Sequence, residues 1–254
     1  MHYPKHSYGE IGLTTLLIWL GAALLAYTIK GFSGFGPALI VVPTVSALYS
    51  PETALGTSTV IDVAVGIVLL LTWRPTRDEM SLLAKLGLSI SVGTVMGALL
   101  AGVLPREALL LLIGISVLLL AVKLALSGTT AVPTGRWEIP PWLGGILAGI
   151  SGGLVGISGP FMVSGTARYE KSSMRRLLVV VFLLEGLVKL IVYSANGILT
   201  RQSFDLSFRA LPAIVAGLVV GAWLHNRVSQ QLFLRILAGI LFVAGLEPIV
   251  TAIH

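Results

Sequence analysis

Apolar residues run along this chain in blocks of about twenty, the length an α-helix needs to cross a bilayer. Short polar or glycine-rich connectors separate them. The blocks predict ten helical segments, at about 11–29, 36–49, 53–73, 82–104, 107–126, 142–156, 159–170, 174–196, 208–226 and 231–253. The alternating pattern of a transmembrane β-barrel is absent. The second and seventh segments are short for full crossings and read as half-helices or re-entrant pieces, which gives eight to ten crossings. The polar stretch Met1 to Glu10 precedes a first apolar run with no small-residue cleavage site after it, the pattern of a retained helix rather than a signal peptide.

Two glycine-rich interruptions stand out: Gly31-Phe32-Ser33-Gly34-Phe35-Gly36-Pro37, and Gly156-Ile157-Ser158-Gly159-Pro160 half a chain later. Irregular backbone at membrane depth survives only where it is buried in protein or lines a polar cavity. Sliding the chain against itself shows that the interruptions belong to a longer repeat. Trp19-Leu20-Gly21 matches Trp142-Leu143-Gly144, Gly36-Pro37 matches Gly159-Pro160, and Asp62 matches Glu185, all 123 residues apart. Gly93 and Gly97 match Gly217 and Gly221 at an offset of 124. The expected fold is therefore an all-α polytopic membrane protein of two five-segment repeats, residues 1–127 and 142–254, joined by a connector at 128–141. An odd number of crossings per repeat inverts the second copy. Inverted repeats with glycine-broken helices are the pattern of secondary transporters.

Composition narrows the class. Of 254 residues, 56% are hydrophobic and 11% charged, against about 25% charged in soluble domains, so no separate soluble domain fits. The net charge of +6 does not point to nucleic acid, because the basic residues sit in connectors between apolar runs. With ten crossings and an outside N-terminus, twelve of them fall on the cytoplasmic side and only Lys5, Arg106, Arg201 and Arg209 outside. The positive-inside rule then places both termini outside. Without cysteine there is no disulfide, thiolate metal site or Cys nucleophile. No zincin, P-loop or dinucleotide fingerprint is present, so no metal or cofactor is expected.

The chemistry concentrates around the interruptions. Pro37 and Pro160 each suit a first helical turn, and a helix N-terminus favours an anion. Gly34, Gly36 and Gly159 let the backbone approach a ligand, and Ser33 and Ser158 add hydroxyl donors. The same glycines would equally serve close helix packing. Lys30, just before the first interruption, is the cation best placed to touch an anion, or it snorkels to the interface. Thr57 and Ser58 face the same cavity or back-bond to their own helix. Asp62 shares a helix face with Ser58, and Glu185 has Lys189 four residues on, a favourable helical pair. Asp62, Glu185 and Lys189 are candidates for coupling or gating, since ionisable residues inside a membrane are functional by default. A structural ion pair is the competing reading. The cluster Arg168, Lys171, Arg175 and Arg176 attracts an anion to the cytoplasmic mouth or fixes topology. The Gly93/Gly97 and Gly217/Gly221 pairs permit close contact within one chain or in a homodimer.

Gly31-Phe-Ser33-Gly34, Gly149-Ile-Ser151-Gly152 and Gly156-Ile-Ser158-Gly159 also resemble the nucleophile motif of rhomboid intramembrane proteases, with His225 as the one histidine in an apolar region. Three copies favour a backbone role, because a catalytic dyad needs one serine. The chain is read as a non-enzyme.

Gly31 to Val42 with Pro43, followed by Ala54-Leu-Gly56-Thr57-Ser58, resembles the TauE/SafE family of sulfite exporter-like proteins, and the similarity covers nearly the whole chain. In the second half Gly165 and Arg176 to Val180 replace the matching elements. The resemblance implies an inner-membrane, multi-pass transporter that exports small sulfur oxyanions such as sulfite, or organosulfonates, by alternating access. A passive anion channel is the alternative. One charge moved through 100 mV is worth about 2.3 kcal/mol, so an anion leaving a negative interior needs no coupling ion in principle.

Overall fold

The computed structural model describes residues 12–33, 36–71, 77–126, 140–158, 171–225, 227 and 230–253. These residues form helices and their connections. The helices are α1 (Leu13–Ser33), α2 (Ala38–Leu48), α3 (Pro51–Leu71), α4 (Arg77–Val103), α5 (Arg106–Leu126), α6 (Pro141–Val155), α7 (Lys171–Ala195), α8 (Arg201–His225) and α9 (Gln230–Ile253). Five of them are long and apolar enough to cross a membrane by length and composition: Leu13–Phe32, Pro51–Leu70, Leu83–Val103, Leu177–Ala195 and Arg201–Leu224. Ala38–Leu48 and Trp142–Val155 are shorter apolar helices. The expected seventh segment, 159–170, and most of the connector lie outside the described residues.

Among the boundaries that depart from the sequence expectation, two have a visible physical reason. The interruption was expected to begin at Gly31, yet α1 continues to Ser33. Gly31 is inside the helix as a contact glycine: a Cβ there would run into the carbonyl of Leu218 on α8. Among the described residues before α2, Gly36 has a φ of 94°, open to glycine but strained for other residues. At the other departure, α8 begins at Arg201 rather than near 208. Thr200 supplies the start, its Oγ1 accepting the Ser203 N–H at 3.2 Å. The Ser207 hydroxyl is bonded to the Ser203 carbonyl at 2.6 Å, and Arg209 pairs with Asp205 at 2.8 Å. A polar first turn thus precedes the apolar run. Ser50 caps α3 in the same way, accepting the Thr53 N–H at 3.1 Å with Pro51 next to it.

The closest packing joins early helices to late ones. α1 lies along α8, α4 along α6, and α5 along α9, while α3 touches both α7 and α8. Gly217 and Gly221 on α8 sit against the carbonyls of Leu24 and Thr28 on α1, and Gly93 and Gly97 on α4 sit against those of Ile146 and Ile150 on α6. Both glycine pairs singled out in the sequence therefore make contacts within the chain. Residue numbers rise together along each of these two interfaces, so both helix pairs run parallel. The Trp19 indole fixes the first of them by donating to the Leu206 carbonyl at 3.1 Å. Across α3 and α7, Gly66 faces Leu183 and Gly186 faces Val63, so those helices run antiparallel. The short helix α2 is enclosed by this frame, with Val41, Val42 and Val45 fully buried.

Candidate functional site

The described structure holds a cavity where the start of α2 meets the end of α6 and the middles of α3 and α7. Lys30, Gly36 to Leu39, Asp62, Gly156 to Ser158, Phe182, Glu185 and Lys189 line it. Its volume is about 40 Å³, space for a few waters or one small ion.

Each wall has a local cause. The first turn of α2 borders the cavity without a side-chain cap; the Leu39 and Ile40 N–H groups donate to the Gly36 and Pro37 carbonyls at 3.1 Å, and the positive end of the helix dipole lies at the cavity wall. Gly156 ends α6 in the left-handed conformation at φ 79°, its N–H bonded to the Gly152 carbonyl at 3.0 Å. The Ser151 hydroxyl then ties the chain beyond that turn to the α6 end by donating to the Ile157 carbonyl.

Two ion pairs supply the charge, one part-buried and one buried. Lys30 Nζ lies 2.9 Å from Asp62 Oδ1, joining α1 to α3, with the side chains 9% and 15% exposed. Lys30 occupies the last turn of α1, where the helix dipole favours a cation. Its ammonium also stands 5.7 Å from the centre of the Tyr27 ring. The second carboxylate oxygen of Asp62 is 3.4 Å from the Ser58 hydroxyl, one turn earlier on α3. Glu185 and Lys189 pair at 3.0 Å within α7 and are almost fully enclosed, at 2% and 5% exposure. Glu185 rests against Gly152 of α6, and the Tyr193 hydroxyl, one turn beyond Lys189, donates to the Gly153 carbonyl at 2.6 Å. Removing either partner of such a pair would strand a charge away from water, which is costly.

The candidates divide by position. Lys30, Gly36, Asp62, Ser158, Glu185 and Lys189 come together at the cavity. Ser58 reaches it through Asp62. Thr57 does not line it: its carbonyl accepts the Ser207 hydroxyl at 3.3 Å, and its own hydroxyl is buried without a partner among the described residues. Ser33 closes α1. Gly34 and Gly159 lie outside the described residues, as does Arg168. Phe182 was not singled out from the sequence, since one phenylalanine in an apolar run carries no signal. The Lys30–Asp62 pairing was not anticipated either, although an isolated cation and an isolated anion on neighbouring membrane helices are expected to find one another.

A chain with five helices long and apolar enough to cross a bilayer is a multi-pass membrane protein, and the small cavity with its two ion pairs is its candidate site. Comparison with protein-family models bears on which one: residues 19–247 match the model described as sulfite exporter TauE/SafE. The chain belongs to that family, a family of membrane transporters. No curated protein and no solved structure matched the chain.

Proposed function

We propose that this protein exports a small sulfur oxyanion of the sulfite class through the cytoplasmic (inner) membrane, by alternating access around the cavity between α2, α3, α6 and α7. The observation that carries this reading is the convergence of Lys30, Lys189 and the uncapped start of α2 on one small space. A compact oxyanion matches these groups, since ammonium donors and a helix N-terminus both favour concentrated negative charge.

The fold lends itself to alternating access. Exchanging the first five segments for the last five turns the α1–α8 contact into the α4–α6 contact, both parallel and both built on glycine. The same exchange maps α3–α7 and α5–α9 each onto itself. This supports two repeats of inverted topology, residues 1–127 and 142–254 about the connector at 128–141, with α3 and α7 on the pseudo-two-fold axis. It also makes Asp62 and Glu185 counterparts at one cavity. Termini outside remain our reading from the distribution of Lys and Arg.

The test is reconstitution. Proteoliposomes containing the protein should release sulfite with saturable kinetics and show counterflow. Lys30→Ala should lower the rate by roughly tenfold or more, the worth of one charged hydrogen bond. Flux that rises without saturation and lacks counterflow would make the protein a channel. Absence of sulfite flux would overturn the exporter reading.

A further inference from the structure

Resting on the exporter reading, we propose that Asp62 is a tethered counter-ion: in the empty carrier its carboxylate holds the place on Lys30 that the substrate oxyanion takes when it binds. The cavity carries two ammonium groups and two carboxylates, so it is balanced without substrate. A bare ammonium at this depth is costly. When the substrate leaves, Lys30 therefore needs another negative partner before the carrier can return. Asp62 is in position, 2.9 Å away and on a different helix.

The surroundings distinguish this pair from the other. Glu185 and Lys189 lie four residues apart on α7, so they stay together however α7 moves. Lys30 and Asp62 bridge α1, which packs on α2 and α8, and α3, which packs on α2, α7 and α8. Their contact can open and close as these helices shift. Asp62 also has a resting place off Lys30, because the Ser58 hydroxyl stands beside its second oxygen at 3.4 Å. Of the two lysines, Lys30 is the one whose partner can be exchanged.

This arrangement makes Asp62 a competitor of the substrate. Only the fraction of carriers in which Lys30 is released is ready to bind, and the apparent affinity is lowered by that fraction. Neutralising Asp62 should therefore tighten binding. It should also trap the empty carrier with an unpaired Lys30. Net efflux, which needs the empty carrier to return, is then lost, while exchange of one sulfite for another continues. A residue that coordinates substrate, or one that only holds the fold, would give weaker binding or loss of both modes together.

The experiment compares wild type with Asp62→Asn and Asp62→Glu, using sulfite as the probe. Binding to purified protein is measured beside efflux of radiolabelled sulfite into sulfite-free buffer and into buffer holding unlabelled sulfite. Asp62→Asn should bind about tenfold tighter, lose most net efflux and keep exchange, and Asp62→Glu should restore net efflux. Weaker binding in a monodisperse Asp62→Asn protein, or equal loss of net efflux and exchange, overturns the proposal. Asp62→Ser replaces the Asn variant if that one does not fold. Failure of both to fold makes Asp62 a structural partner of Lys30 and overturns the proposal too, while wild-type sulfite transport would leave the exporter reading standing. A wild type that moves no sulfite removes both.

Discussion

The carboxylate of Glu185 lies directly against Gly152, leaving no room between α7 and α6 for a Cβ. A charged side chain, its partner Lys189 and a neighbouring backbone are thus packed as one unit. Gly152→Ala would push the carboxylate aside or separate the helices. Overpacking of this kind typically costs about 1–3 kcal/mol. The expected outcome is a lower melting temperature in detergent together with reduced sulfite flux. An unchanged melting temperature would mean that the interface gives way without strain.

Removing Lys189 alone should be more damaging than removing the whole pair. Lys189→Ala leaves Glu185 enclosed without a counter-ion, a situation that costs about 3–5 kcal/mol. Glu185→Gln combined with Lys189→Met leaves no buried charge and should recover much of that loss. Thermal unfolding of the single and double variants gives the comparison. A double variant no more stable than Lys189→Ala would contradict it.

The α1–α8 interface makes a third prediction. Gly221 sits on the Thr28 carbonyl, and Gly31 sits on that of Leu218. Alanine at either position should destabilise the protein by about 1–3 kcal/mol. The double variant should lose less than the sum, since one separation of the helices relieves both clashes. Additive losses in detergent melting curves would show two independent defects instead.

Topology can be read directly because the natural chain has no cysteine. A single cysteine replacing Lys5 should react with an impermeant thiol reagent added to intact cells. One replacing Glu170 should react only after permeabilisation. The reverse pattern would place the termini inside.

How much of this was legible in the sequence varied with the kind of interaction. Glu185 and Lys189 could be paired from spacing alone, because four residues place them one above the other on a helix. Lys30 and Asp62 could not be, since nothing in an apolar sequence states the register of α1 against α3. The glycines were ambiguous for a related reason. Gly31 and Gly36 belong to one motif, yet the first is helical and packed on α8 while the second has a positive φ. Sequence displays a missing Cβ without saying whether a neighbouring helix or a left-handed turn requires it. The start of α8 was obscured by its polar first turn, whose hydroxyls are satisfied locally and by α3.

The two parallel glycine interfaces also bear on how the chain is made. The Trp19 indole is bonded to Leu206, 187 residues further along. During synthesis α1 therefore enters the bilayer with the face that receives Gly217 and Gly221 uncovered, and its partner arrives only after six more of the described helices have emerged. α4 waits far less, since α6 follows soon after it. Early-made helices must remain loosely held in the lipid until the late ones slot between them. Assembly is an interlocking of two halves, in which neither reaches its final packing before the other is present.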